Sequence, residues 1–145
     1  MPLIPSFPEW ERTACASFRG DPLWTVRAFR LSMYAIACHG DDCSANPRLS
    51  GAAVADQLTR AVGSIAANIA EGHSRSSLAD RLRFFGYALG SAREAAVWYE
   101  TLRGALGGIV TDRQDTLIQI RRLLLATLRR ARPAGSTEAL RNRRA

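Results

Sequence analysis

Ser64-Ile-Ala-Ala-Asn-Ile-Ala-Glu-Gly-His-Ser-Arg75 is the stretch on which the fold turns: one helix ends in it, the chain reverses, and a second long helix follows. Toward it, polar residues recur at Asp56, Arg60, Ser64, Asn68 and Glu71, the i, i+4 rhythm of a single helical stripe. Leu58, Ala61, Ile65 and Ile69 make a separate apolar stripe. Gly72 suits a helix C′ position, and Ser76 or Ser77 an N-cap, so the turn is expected over Gly72 to Ser77. Beyond it, Arg83, Gly86, Gly90 and Glu94 keep the same rhythm. If the two helices fold back about Ser77, Arg60 opposes Glu94, Glu71 opposes Arg83, Asn68 opposes Gly86 and Ser64 opposes Gly90. The spacing therefore predicts a partly buried polar seam, with glycines lacking a Cβ leaving room for facing side chains. Such a seam fixes register more than it adds stability, because each charge left alone is costly. No nucleophile or histidine joins these carboxylates and arginines, so the seam reads as structural rather than catalytic.

Working outward, 145 residues suit one domain with a sizeable core. Helix formers dominate and strand signals are few, which makes the class all-α. All twenty basic residues are arginine, a sign of genomic base composition before it is a sign of chemistry. The net charge of +7 concentrates at one end: from Arg129 onward, Arg129, Arg130, Arg132, Arg141, Arg143 and Arg144 face Glu138 alone. The body is nearly neutral, so any nucleic-acid contact is expected from these six arginines. Three cysteines, an odd count without a secretory pattern, suit a reducing cytoplasm. Pro22 to Cys38 is the longest mostly apolar stretch, but it carries Arg27 and Arg30 and is short for a bilayer, so no membrane span is expected.

Along the chain, residues 1–20 form a proline-spaced extension whose position the sequence leaves open. Asp21 as N-cap and Pro22 at N1 open a first helix running to about Cys38. Its apolar residues, Trp24 and Leu31 among them, cover more than one face, which predicts a subunit interface beside the core. His39 to Ser50 reads as a loop by composition. Its Cys38-His39-Gly-Asp-Asp-Cys43 run has zinc ligand types but not their usual spacing, and would need Cys15 or His73 to complete a site. No metal or cofactor is expected. A second helix is expected from about Ala52 to Glu71 and a third from about Leu78 to Leu106. On the third, Leu78, Leu82, Phe85, Leu89, Ala92, Ala96 and Tyr99 form a heptad-like core seam, while Phe84, Trp98 and Leu102 lie off it and extend the expected interface. Thr111 caps a fourth helix with the stripe Leu117, Ile120, Leu124 and Leu128. The folded unit thus spans residues 21–132, and Pro133 opens a basic tail expected to be disordered.

Gln57-Leu-Thr-Arg60-Ala, Ser64 to Gly72, Arg75, Asp80, Arg83-Phe-Phe and Ala88-Leu-Gly90-Ser-Ala-Arg-Glu94 resemble the four-helix-bundle proteins of the ribosomal-RNA intervening-sequence family. The resemblance covers roughly Leu23 to Arg130. It implies an antiparallel up-and-down four-helix bundle assembling as a ring-like homopentamer, without established enzymatic activity. The family resembles the accessory protein of diversity-generating retroelements, which partners a reverse transcriptase. Ala66 departs from the family, which usually has proline there, so the second helix is expected to be straighter.

Three functions compete. The first is a non-enzymatic cytoplasmic homo-oligomer acting as a scaffold associated with RNA or DNA through its basic tail. The second is a metal-dependent enzyme using the Cys38 to Cys43 loop; Glu71 is followed by His73, one residue too soon for the Glu-x-x-His of carboxylate di-metal bundles. The third is an accessory partner of a larger nucleic-acid enzyme. No small-molecule substrate is evident.

Overall fold

The computed structural model describes residues 3–132, and they are all-helical. Short helices α1 (Phe7–Trp10) and α2 (Ala16–Arg19) precede the long helix α3 (Arg27–Ala45); α4 (Ala53–Ser74) and α5 (Leu78–Thr101) follow, then the short α6 (Arg103–Leu106) and the long α7 (Ile109–Arg130). Each long helix packs against two others: α4 against α3 and α5, and α7 against α3 and α5. Leu31, Leu58, Ile65, Ile69, Leu117 and Ile120, all at most 2% exposed, lie at the centre of the core. The helix stripes read from the sequence thus converge on one interior.

The first helix starts and stops elsewhere than its caps suggest. Asp21 does cap, its Oδ1 accepting from the Leu23 amide at 2.7 Å, but the capped element is only the 3₁₀ turn Pro22–Thr25. Val26 is extended and α3 begins at Arg27. At the other end α3 runs through Gly40 to Ala45, where a loop from His39 was expected. Gly40 in a helix interior costs about 1 kcal/mol relative to alanine; burial of His39 and Asp42, each bonded to other helices, offsets it.

Ser77 is the N-cap of α5, its Oγ accepting from the Asp80 amide at 3.1 Å. Gly72 is not a C′ residue, because α4 continues to Ser74 and closes in an extended Arg75. It is instead where α4 and α5 come closest: a Cβ there would lie 3.0 Å from Arg81 O, Phe84 Cβ and Phe85 Cδ1. The third helix stops at Thr101, before the expected Leu106, and α6 follows as a separate turn ended by Gly107 at φ +66°. Leu78, assigned to the core seam, is 60% exposed, since the first turn of α5 projects beyond the helices that cover the rest of that stripe.

Residues 3–25 pack along α3. Phe7 meets Tyr34 edge-on and Trp10 meets it at a tilt, with ring centroids 5.5 Å away in each pair. Phe18 meets Trp24 and Phe29, Glu11 pairs with Arg30 at 3.1 Å, and Tyr34 donates to Pro5 O. The surplus apolar surface of the first helix is therefore covered by the chain's own N-terminal segment. Leu31, expected at a subunit interface, is 2% exposed in the core, and Trp24 is half-buried under Phe18. An aromatic-rich extension supplied the cover that the helix pattern demanded.

Candidate functional site

Two clusters stand out, one buried and one at the surface. The buried one joins all four long helices. Asp42 of α3 accepts both forks of the Arg113 guanidinium of α7, Nε at 2.9 Å and Nη2 at 2.7 Å, and the Tyr99 hydroxyl of α5 at 3.3 Å. The side chains of Arg113 and Asp42 are 8% and 5% exposed. A bidentate, desolvated pair of this kind holds three helices in register. Burial, with the Asp42 charge beside it, pushes the Tyr99 hydroxyl well above the usual phenol range, so it donates rather than ionises.

Next to this pair, His39 Nε2 lies 2.7 Å from Thr59 Oγ1 of α4, and Cys43 Sγ is 3.5 Å from the same nitrogen. Thr59 gives its own hydrogen to Ala55 O at 2.9 Å, so its oxygen accepts and Nε2 carries the hydrogen. That leaves Nδ1, 3.9 Å from Cys43 Sγ, as the imidazole acceptor for the thiol hydrogen. Burial raises the Cys43 thiol, and Asp42 raises it further; burial also lowers the basicity of His39. Cys38 is fully buried and raised by desolvation as well. Burial thus works against both a thiolate at Cys43 and a protonated His39. A cavity of about 360 Å³ opens beside Cys43, lined by Leu49, Ala55 and Thr59. Among the described residues no group of three or more His, Cys, Asp or Glu is placed to hold a metal ion. Cys38 and Cys43 sit on a continuous helix, not on the loop that a metal site was imagined to use.

The surface cluster is a groove of about 340 Å³ between α5 and the end of α7. Leu89, Leu125 and Leu128 form its floor, and Arg93, Arg129 and Arg132 stand around it. Among the described residues none of these arginines is in a salt bridge. Arg129 and Arg132 were expected from the sequence as nucleic-acid contacts; Arg93, 36 positions before Arg129, was not. Arg130 is exposed one position on. Arg141, Arg143 and Arg144, and the tail as a whole, lie outside the described residues.

Apart from the buried Gly72, the predicted seam residues are exposed or half-buried, and they do not form the predicted charge pairs. Arg60 and Glu94 are both exposed and do not bridge; Glu94 accepts from Trp98 Nε1 at 3.2 Å. Glu71 pairs with Arg75, one helical turn on, and Arg83 with Asp80 at 3.0 Å. Local i, i+3 and i, i+4 partners win because they close without crossing between helices. Asn68 Nδ2 donates to Ser64 O within its own helix at 2.9 Å. A Cβ at Gly86 or Gly90 would meet nothing within 4 Å, so close approach concentrates at Gly72 alone. Of the expected interface residues, Phe84 is half-buried beneath the Arg75 and Arg83 guanidiniums, and Trp98 and Leu102 are half-buried against the core. Tyr87 and Val97, on the same outer side of α5, are 52% and 58% exposed.

The missed residues had a signature. Val110, Arg113, Leu117, Ile120 and Leu124 follow one helical stripe, and an arginine inside it, like the Tyr99 hydroxyl inside the α5 stripe, demands a buried partner. Among the described residues no helix is long and apolar enough to cross a membrane.

Known proteins agree with this architecture. A solved structure from Bacteroides thetaiotaomicron, a protein of unknown function from the S23 ribosomal protein family, superposes with a TM-score of 0.63 at 20% identity, covering 70% of this chain and 97% of that one. No curated protein matches by sequence. The model of the family described as 23S rRNA-intervening sequence protein matches residues 42–125, from the buried Asp42 to Leu125 within α7, more than half of the chain. This chain therefore belongs to the 23S rRNA-intervening sequence protein family.

Proposed function

We propose that the chain is a non-enzymatic, cytosolic homo-oligomer whose four long helices form an antiparallel up-and-down bundle. Five copies close a ring that serves as a nucleic-acid-associated scaffold. The observation that carries the oligomer is the outer face of α5, where Tyr87 and Val97 stand exposed beside the bare backbone of Gly86 and Gly90. Large apolar groups on an otherwise satisfied helix, next to glycines with free space above them, suit contact with a second copy. Of the expected interface residues ahead of α4, Leu31 lies in the core and Trp24 packs on Phe18, which leaves α5, with Phe84 and Trp98, as the contact face.

The nucleic-acid part rests on the arginines at the end of α7. A ring repeats this weakly basic end, so several modest contacts act together. The family description names 23S rRNA, which makes RNA the first ligand to test. Light scattering coupled to size exclusion, with absorbance at nucleic-acid wavelengths on the same peak, tests both parts. A mass near five chains with co-eluting RNA is the expected outcome. A monomer overturns the assembly, and RNA binding that persists unchanged without residues 129–145 overturns the role given to the arginines.

A further inference from the structure

The α5/α7 groove combines two features that a polyanion alone does not explain. Arg93, Arg129 and Arg132 line it, exposed and without carboxylate partners among the described residues, so the groove is electropositive and suits a ligand anion. Below them, however, the floor is Leu89, Leu125 and Leu128, an aliphatic surface with no use for a phosphate. A ligand that suits both parts carries an anion joined to an apolar group.

Three exposed guanidiniums around one groove favour a ligand with more than one charge. A duplex keeps its bases stacked inside and offers only its backbone, which leaves the leucine floor empty. An unpaired strand offers bases that splay out, stack on guanidinium planes and seat against apolar side chains.

We propose that this groove holds an unpaired nucleotide, its base against Leu125 and Leu128 and its phosphate among Arg93, Arg129 and Arg132, so that the chain prefers single-stranded nucleic acid to duplex. The assignment rests on the nucleic-acid association proposed above and narrows it to a strand type and a place.

The test compares three labelled probes of about twelve nucleotides by fluorescence anisotropy with the full chain: a single strand of uridines, the same strand made abasic, and a duplex. The uridine strand is expected to bind about tenfold tighter than either of the others. Arg93→Glu, an exposed position on α5, is expected to lower that affinity about tenfold while circular dichroism stays unchanged. Equal binding of the base-bearing and abasic strands, or tighter binding of duplex, overturns the nucleotide pocket and leaves general nucleic-acid association standing. Discrimination that survives Arg93→Glu overturns the groove as its location. Binding of none of the three overturns both readings, and capture of an acidic, leucine-bearing peptide in their place assigns the groove to a protein partner.

Discussion

Asp42 shows how much one residue settles. Its carboxylate is the shared partner of Arg113 and Tyr99, in a place where neither charge is solvated. Removing one member strands the other: Asp42→Ala is expected to cost about 3–5 kcal/mol in urea unfolding. Replacing both, Asp42→Leu with Arg113→Met, is expected to cost much less than the two single changes together, since a packed apolar pair substitutes for a desolvated ionic one. Additive losses would show that the two side chains act separately. His39 supplies a second test. Burial holds its pKa below the usual 6.5, Arg113 acts in the same direction, and Asp42 opposes them; Cys43 and Tyr99 are its other neighbours. An unfolded chain takes up that proton first, so the stability of the neutral ring is full above about 6.5 and is lost as pH falls toward the folded value. The urea midpoint is expected to drop between neutral pH and pH ~5.5, and His39→Gln to flatten that part of the profile. An unchanged slope in the variant assigns the acid sensitivity elsewhere.

At the scale of elements, the α4 and α5 pair depends on one glycine. A methyl at Gly72 meets the Arg81 carbonyl at 3.0 Å, and backbone cannot swing aside as a side chain can. Gly72→Ala is expected to destabilise by about 1–3 kcal/mol. Gly63→Ala, inside α4 with nothing within 4 Å of the new methyl, is expected to be neutral or to stabilise by up to about 1 kcal/mol through helix propensity. Chemical denaturation of the two variants side by side checks this, and equal effects would remove the distinction. The sequence marked Gly72 as special but for a different reason, a helix end, because a glycine at a close approach and a glycine at a C-cap look alike in one dimension. The cap at Ser77 was legible because it depends on its neighbours three residues away. The length of α3 was not, since what carries the helix through Gly40 is the burial of His39 and Asp42 against other helices.

For the whole molecule, the question is which apolar surface is left after the chain has covered what it can. The N-terminal segment covers α3, with Phe7, Trp10 and Phe18 seated on it. Among the described residues the outer face of α5 has no such cover, and Tyr87 and Val97 remain exposed. The proposed five-chain assembly therefore depends on α5. Val97→Glu is expected to lower the mass measured by light scattering toward a single chain without loss of helicity, because a charge at a closed interface is desolvated. An unaltered mass moves the contact to another face.

The sequence by itself determined the helical class, the stripes that face the core, the reversal near Ser77 and the family, because periodicity, capping and local motif are short-range properties. It also placed polar residues on the α4 and α5 hairpin, though not their partners. Only the tertiary structure decided that Asp42 meets Arg113 across 71 positions, that Arg93 joins Arg129 and Arg132, and that residues 3–25 cover α3. Each of these depends on distances between residues far apart in the chain, and so on how the helices pack rather than on what any one of them contains.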